Sequence, residues 1–372
     1  MVVDPLKADF ALGERDIEQI LELNDTEYGP TSPTPSTDVV STRTTFFWRR
    51  DQNPAGRAVI PVIRNGAGDV VGFFWLIPLK IRAGKQDYLG ATGANLLIES
   101  KNRGTFGYAK LVRKFAEALK DRKAALHFSF VSEKNYRRLR ADSPQTTFTV
   151  PLLVKPLDFG SLTHSYFTKK WQRSLGASVG RLLSLYFFRL PSLHRGTDIS
   201  IQMIDRFDES FDDFWRRVQD KYRAMVIRDR AFLDWRFNPI TGRRYRIMVA
   251  RLRGEMLGYS VIRCVSVRGV QTGLILDLLL LDDKRGKEAG IRLVAEAEAF
   301  FRSQKMSLML TLLSPSSDEY RILGLSGCRN LAPFVSLRPF RFAFFVHDTY
   351  QQNLTSLSVK NWFITLADFE SL

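Results

Sequence analysis

The sequence predicts a fold of the mixed α/β class that consists of two tandem copies of one unit. Within each copy the helices and strands form an α+β arrangement with one mixed sheet. At 372 residues the chain is longer than a single hydrophobic core usually grows. One succession of strands and helices also occurs twice, with apolar residues three and four apart in the helices. We therefore expect an N-terminal unit over 1–158, a connector over 159–197, and a C-terminal unit with a tail over 198–372.

The first repeated segment joins a helix to a pair of strands. It reads "FFWRRDQNPAGRAVIPVIRNGAGDVVGF" from Phe46 and "FLDWRFNPITGRRYRIMVARLRGEMLGY" from Phe232. The matching positions are Trp48-Arg49 with Trp235-Arg236, Asn53-Pro54 with Asn238-Pro239, and Gly72 with Gly258. We expect the tryptophans to be core or corner residues that mark the duplication.

The second repeated segment is a long apolar strand followed by a glycine turn and a helix. "LLIESKNRGTFG" from Leu96 matches "LLLLDDKRGKEAG" from Leu278, and a periodic helix follows each. Each helix leads to an apolar strand and then to a short helix that contains Tyr136 in one copy and Tyr320 in the other. The repetition stays in register over more than eighty residues, so we interpret it as a gene duplication.

Composition narrows the classes of function. The two cysteines and four dispersed histidines give no metal-ligand spacing, so no metal is expected. A net charge of +16 fits a polyanionic partner: nucleic acid, an anionic membrane, or a phosphate-rich cofactor or substrate. Basic residues are dispersed through periodic apolar segments, which makes nucleic acid the least favoured of the three. The acidic N-terminus and the absence of a long apolar run predict a cytoplasmic protein.

The turn after Glu99 could hold an anion. A helix N-terminus presents unpaired N–H groups and partial positive charge, and small residues let a pyrophosphate approach it. Arg103 and Lys101 would add full charges. The spacing matches neither a P-loop nor a dinucleotide fingerprint. A tight corner without a ligand is the alternative.

This order of elements resembles the GNAT acyltransferase superfamily, and the tandem form resembles bacterial two-GNAT proteins found with exopolysaccharide biosynthesis. The segments that carry the resemblance are the glycine turn, "FLDWRFNP" at 232–239, "VPLLVKPLDF" at 150–159 and "NWFITLADFE" at 361–370. It implies an N-acyltransferase that uses acetyl-CoA or another acyl-CoA as cosubstrate. The acceptor would be a small-molecule or glycan amine, most simply an amino sugar.

The resemblance also implies roles for individual residues. The donor would lie on the backbone and turn formed by Leu97, Ile98, Arg103, Gly104, Thr105, Phe106, Gly107 and Tyr108. Glu99 would be the general base, and Tyr136 would protonate the leaving thiolate, with Tyr320 as its counterpart in the other half. Counted from Arg103, the superfamily signature would place glycine at 106 and glycine or alanine at 108, where the chain has Phe106 and Tyr108. In the second copy Glu288 would repel a pyrophosphate, so the first half is the expected donor site.

Two alternatives concern the whole protein. One is a non-catalytic duplicate that binds an acyl or glycan ligand, and the other is an aminoacyl or fatty-acyl transferase. The connector raises a further choice, because the apolar run at 182–190 is flanked by basic residues. It is either a linker helix packed between the units or an interfacial helix that makes peripheral contact with an anionic inner membrane.

Overall fold

Two β-sheets form the protein, and each contains strands from both halves of the sequence. The computed structural model describes residues 6–11, 13–28, 42–103, 106–142, 146–161, 198–267, 269–330, 339–350, 354 and 357–369. Most of the predicted connector, 162–197, therefore lies outside the described residues, as does the apolar run at 182–190.

The first half contains seven strands and four helices within the described residues. In chain order they are β1 (Lys7–Phe10), α1 (Glu14–Tyr28), α2 (Arg43–Asp51), β2 (Pro61–Arg64), β3 (Val70–Ala83), β4 (Gln86–Ile98), α3 (Gly107–Asp121), β5 (Leu126–Phe130), α4 (Glu133–Asp142), β6 (Thr147–Val150) and β7 (Leu152–Pro156). A 3₁₀ turn, Ser100–Asn102, lies between β4 and α3.

The second half repeats this succession with one additional short strand in its described residues. Its elements are β8 (Ile199–Ile204), α5 (Ser210–Val218), β9 (Ala224–Val226), α6 (Arg230–Arg236), β10 (Arg246–Leu252), β11 (Glu255–Val267), β12 (Val270–Leu280), α7 (Lys284–Ser303), β13 (Leu308–Leu312), α8 (Asp318–Leu325), β14 (Arg329–Asn330) and β15 (Phe340–Val346). Short 3₁₀ turns follow, ending with Leu366–Asp368.

The strand order is the same in the two sheets. The first reads β1-β2-β3-β4-β5-β15-β6, with β9 attached to β3, and the second reads β8-β10-β11-β12-β13-β7-β14. Each half therefore inserts its last long strand into the sheet of the other half. β15 pairs antiparallel with β5, and β7 pairs antiparallel with β13. The sequence repeat placed β7 within the first unit, and its pairing partner lies in the second.

The repeated tryptophans meet each other at the junction of the halves. The rings of Trp48 and Trp235 stack with centroids 5.3 Å apart and planes 21° apart. Trp48 Nε1 donates to the carbonyl oxygen of Trp235 at 3.0 Å, and Trp235 Nε1 donates to that of Trp48 at 3.4 Å. Both side chains are buried, as expected from the sequence. The reciprocal contact indicates that a pseudo-twofold axis relates the copies locally.

The two central parallel strand pairs separate in the same way. β4 pairs with β5 as far as Gly93 opposite Ser129, and β12 pairs with β13 as far as Ile275 opposite Thr311. Each longer strand then continues for five residues, to Ile98 and to Leu280, without pairing to its parallel neighbour. We name these gaps the first opening, between β4 and β5, and the second opening, between β12 and β13.

The repeated glycine has a steric role beside each opening. A Cβ added at Gly72 would lie 2.9 Å from the carbonyl oxygen of Leu97, and one at Gly258 would lie 2.9 Å from that of Leu279. Such distances are shorter than van der Waals contact, so a side chain would push the long strand out of register. Glycine at both positions lets β3 and β11 approach the strand that borders the opening.

Candidate active site

The end of β4 directs backbone polar groups into the first opening. Glu99 N donates to the carbonyl oxygen of Val71 at 2.9 Å, and Gly72 lies opposite Ile98. Antiparallel pairs alternate between hydrogen-bonded and non-hydrogen-bonded positions, so the N–H and C=O of Ile98 point away from β3. Leu97 lies opposite Phe73, and its backbone polar groups face β3. Of the two predicted backbone contacts, Ile98 is the one directed into the opening.

A carboxylate on α1 holds the turn that follows β4. Glu27 accepts from the backbone N–H of Ser100 at 3.1 Å and from its hydroxyl at 2.9 Å. The same carboxylate pairs with the guanidinium of Arg103, whose Nε donates to the carbonyl oxygen of Ile98 at 3.0 Å. The predicted anion-binding arginine is thus oriented by Glu27, and part of its charge is compensated.

The N-terminus of α3 carries no side-chain cap from its N-cap residue. Phe106 occupies that position, makes no side-chain cap hydrogen bond and is 72% exposed. Tyr108 is also exposed, whereas Gly107 is buried against the core. Gly104 and Thr105 lie outside the described residues. The positive end of α3 therefore lies near solvent, beside the first opening.

Glu99 lies where β4 gives way to the turn. Its carboxylate pairs with Lys101 at 2.8 Å and accepts from Asn102 Nδ2 at 2.8 Å. The side chain is about one quarter exposed.

Tyr136 is buried on α4, close to the start of α3. It is 4% exposed, and the guanidinium of Arg341 lies 4.5 Å from its ring centroid. Asn135 Nδ2 donates to the hydroxyl of Tyr108 at 3.0 Å, which brings the first turns of the two helices together. Among the described residues, no hydrogen bond joins Glu99 to Tyr136.

The two candidate tyrosines occupy different positions in their helices. Ser317 is the N-cap of α8 and accepts from the backbone N–H of Tyr320 at 3.1 Å. The corresponding bond in α4 joins the Ser132 hydroxyl to the backbone N–H of Asn135. Tyr320 therefore corresponds structurally to Asn135 and not to Tyr136. One helical position turns a side chain by about 100°, so the tyrosines point in different directions.

Buried side chains occupy the backbone of the second opening. Leu280 corresponds to Ile98, and its N–H donates to Glu319 at 3.1 Å while its carbonyl oxygen accepts from Lys221 Nζ at 2.9 Å. Lys221 and Glu319 pair at 2.7 Å, with side chains 3% and 0% exposed. Tyr222 donates its hydroxyl to the same carboxylate. The polar groups that would bind a ligand here are already bonded within the chain.

The C-terminal segment, residues 362–369, bridges the walls of the second opening. Ser314 N, just beyond β13, donates to the carbonyl oxygen of Ile364 at 3.0 Å, and Ile364 N donates to the Ser314 hydroxyl at 2.8 Å. From the other wall, Asp277 of β12 accepts from the hydroxyl of Thr365 at 2.8 Å. Arg236 of α6 then donates to three carbonyl oxygens of the segment, those of Leu366, Ala367 and Phe369.

The second glycine turn also supplies its own anion. Asp283 caps α7 by accepting from the backbone N–H of Gly286 at 2.7 Å, so a carboxylate lies where a ligand phosphate would bind. A Cβ at Gly286 would lie 2.2 Å from the carbonyl oxygen of Leu281, which shows that this glycine is needed for close packing. In the first turn the N-cap residue is Phe106, which supplies no carboxylate to the helix N-terminus.

Sequence reasoning missed Glu27, Lys221, Glu319 and the C-terminal segment as parts of these openings. An aspartate directly before a helix is a recognisable N-cap signal, so Asp283 could have been found. The other contacts join residues 39 to 133 positions apart and leave no periodic trace in the sequence.

In the described part of the chain, no group of three or more His, Cys, Asp or Glu residues could hold a metal ion. No described helix is long and apolar enough to cross a membrane. Neither finding identifies a ligand.

Comparison with known proteins identifies the fold. No family model matches the chain, and no curated protein matches it. Among solved structures, a probable N-acyltransferase from Enterococcus faecalis V583, described as a conserved protein of unknown function, superposes with a TM-score of 0.59 at 12% identity, covering 92% of this chain and 72% of that one.

Two further structures have the same fold. N-myristoyltransferase of Saccharomyces cerevisiae with bound myristoyl-CoA gives a TM-score of 0.59 at 12% identity over 93% of this chain and 83% of that one. A GCN5-related N-acetyltransferase from Anabaena variabilis ATCC 29413 gives 0.58 at 12% identity over 92% and 72%. The predicted fold class is confirmed: the protein has the GNAT fold along nearly its whole length.

Proposed function

We propose that the protein is an acyl-CoA-dependent N-acyltransferase whose donor binds in the first opening. One observation carries the assignment. Of the two equivalent openings, the second is filled by Lys221, Glu319 and residues 362–369 of the chain itself, whereas the described residues leave the N–H of Ile98 directed into the first. The solved structures of the same fold include an enzyme with bound myristoyl-CoA and support this donor class.

The donor-binding residues are those predicted from the sequence. The amide arm of the donor pairs with the end of β4 through the N–H of Ile98, as an added strand would, with Leu97 behind it. Its pyrophosphate lies at the N-terminus of α3, beside Phe106, Gly107 and Tyr108. Gly104 and Thr105, which the sequence also assigns to this site, lie outside the described residues. Arg103, fixed by Glu27 and Ile98, contributes positive potential beside the phosphates.

The reaction is direct attack of an amine on the acyl thioester. An amine is mostly protonated at neutral pH, so Glu99 accepts the proton that the nucleophile must lose. The developing oxyanion is stabilised by a backbone N–H of β4. Tyr136 donates a proton to the thiolate as it leaves. The acyl group passes from sulfur to nitrogen, and free CoA is released.

The acceptor and the setting are proposed on the sequence resemblance to tandem GNAT proteins. The acceptor is an amino sugar or a related amine used in cell-surface polysaccharide synthesis. The protein acts in the cytoplasm, and residues 178–193 either link the two units or make peripheral contact with an anionic inner membrane. Flotation with anionic liposomes tests that contact, since undiminished binding after deletion of 178–193 would assign it elsewhere.

Titration calorimetry with acetyl-CoA and longer acyl-CoA esters tests the donor site. We expect one molecule bound per chain. Phe106→Asp should weaken binding at least about tenfold, because it places at α3 the carboxylate that Asp283 supplies to α7. Phe106→Asn is the matched control: it can cap the helix without charge and should bind more tightly than Phe106→Asp. Asp283→Asn should leave the stoichiometry at one.

Release of free CoA in the presence of a panel of amino sugars tests catalysis. Steady release with one amine class would establish the acceptor chemistry. If acyl-CoA binds but no free CoA is released with any acceptor tested, the result would favour a non-catalytic acyl-binding protein. The ion pair between Arg103 and Glu27 favours that alternative, because it reduces the charge available to the phosphates. Failure of every CoA ester to bind would reject the proposal.

A further inference from the structure

Three partly buried phenylalanines lie where β5 leaves β4. Phe130 is the first residue of β5 beyond the last paired position, Ser129, and so borders the first opening at its narrow end. Its ring contacts those of Phe340 and Phe369 edge-to-face, with centroids 6.4 Å and 5.0 Å away. Phe340 and Phe369 are themselves 5.1 Å apart. We name these three residues the phenylalanine wall.

The wall lies on the side of the first sheet opposite α3. Side chains alternate along a strand, so Phe130 shares a face with Phe128. Phe128 packs against Trp362 of the C-terminal segment, at a centroid distance of 5.8 Å. His127, on the other face, packs against Phe115 of α3. A group that enters the opening from the α3 side and crosses the sheet therefore meets Phe130.

Two buried apolar residues lie next to the wall on this side of the sheet. Leu97 on β4 belongs to the same core cluster as Phe128, and Phe130 packs on that cluster. Phe342, the neighbour of Phe130 on β15, is fully buried beneath the wall. Apolar surface that remains partly exposed at a strand opening gains free energy when an apolar ligand covers it.

We infer that the phenylalanine wall binds an apolar acyl chain longer than acetyl. The inference rests on the proposed function, because the thioester must lie in the first opening for its acyl group to reach Phe130. An acetyl group has one methyl to place at the narrow end, whereas a chain of six to eight carbons extends across the sheet onto the three rings. The donor class is therefore a medium-chain or long-chain acyl-CoA.

The C-terminal segment gives the second half a part in this site. It fills the second opening with residues 364 to 368 and then places Phe369 against the first. Arg236 fixes that placement by donating to the carbonyl oxygen of Phe369 at 3.0 Å. The copy whose own opening is filled thus completes the acyl site of the other copy.

A chain-length series measures the effect. Dissociation constants for CoA, acetyl-CoA, butyryl-CoA and octanoyl-CoA should fall by about fourfold for each methylene that becomes buried. The total gain from acetyl to octanoyl should exceed about tenfold. Phe369→Ser and Phe130→Ser should reduce that gain to within about threefold and leave the affinity for CoA unchanged. Phe148→Ser is the matched control, since Phe148 lies two strands from β5 and packs, as Phe130 does, against Phe342.

The outcomes separate the two proposals. Equal affinity for acetyl-CoA and octanoyl-CoA in the wild-type protein would overturn the inference and leave the proposed function standing. The inference would also be overturned if the increase in affinity from acetyl-CoA to octanoyl-CoA were unchanged in both Phe130→Ser and Phe369→Ser. Absence of binding by CoA and all its esters would reject both proposals. If a wall variant does not fold, the wild-type series still decides.

Discussion

At the scale of single residues, the Lys221–Glu319 pair distinguishes the two copies most clearly. Removing two charges from water is costly, and the structure offsets the cost with bonds to Leu280 and Tyr222. Burial and the neighbouring carboxylate raise the pKa of Tyr222, so its phenol stays protonated and donates to Glu319. The pair is therefore internally satisfied, with no requirement for a ligand.

Glu319→Gln should lower the free energy of unfolding by about 3–5 kcal/mol, since it leaves the buried Lys221 ammonium without its counter-charge. Urea denaturation followed by circular dichroism measures the change. Asp213→Asn, in an exposed ion pair with Arg216, is the control and should change stability little. A Glu319→Gln protein as stable as wild type would contradict the assignment of Glu319 as a buried structural carboxylate.

Glu99→Gln should lower kcat by about 10²-fold to 10⁴-fold, because the amide cannot accept the proton of the amine. The affinity for acyl-CoA should change less than about twofold. Steady-state CoA release and calorimetry measure the two quantities. Glu117→Gln, an exposed glutamate on α3, is the control. Unchanged kcat in Glu99→Gln would assign the base to another group.

At the scale of elements, the contact of β5 with the exchanged strand β15 contains a pair of histidines. His127 Nδ1 lies 3.3 Å from His347 Nε2, and the His127 ring stacks on Phe345 of β15 at 4.7 Å. Burial, assisted by the charge of His347, lowers the pKa of His127 to about 3. In the unfolded chain the group titrates near 6.5.

Stability should therefore fall as the pH drops below about 6.5. Between about pH 3 and 6.5 the unfolded state binds a proton that native His127 does not, so unfolding is favoured by acid. The expected loss between pH 7.5 and 5 is up to about 2 kcal/mol. Urea midpoints across this range measure it, and His127→Gln should flatten the profile. An equal slope in wild type and variant would place the pH dependence at other groups.

At the scale of the whole molecule, the reciprocal exchange of β7 and β15 joins the halves. One core cluster includes residues from both, such as Phe73, Leu153, Trp235 and Phe342. Neither sequence half contains all the strands of one sheet. The boundaries predicted from the repeat, 1–158 and 198–372, thus separate the two copies. That each of these ranges is an independent domain stays a prediction.

Heating should unfold the protein in a single cooperative transition, because each sheet loses a strand when the other half unfolds. Scanning calorimetry should give a ratio of calorimetric to van't Hoff enthalpy close to one. Trp48→Ala should lower Tm and keep one transition, since it removes the stacked contact at the junction. Two resolved transitions would contradict the coupling of the halves.

The sequence alone predicted three features: the duplication, the order of helices and strands, and the glycine turn. All three depend on local periodicity or on repeated sequence segments. The buried tryptophans and the amphipathic α3 followed from the same patterns. The glycine turn lies between β4 and α3 as predicted, and its role in binding a donor stays a prediction. Glu27, which orients this turn, had no local signal.

Tertiary structure decided which strands pair, which opening is filled and which residues border the other. The sequence by itself determined two similar units with one fold, because hydrophobic period and turn chemistry act between near neighbours. It did not determine that residues 362–369 cross from one opening to the other, or that Lys221 meets Glu319 on the backbone of Leu280. Those contacts join distant parts of the chain, and only packing of the complete fold brings them together.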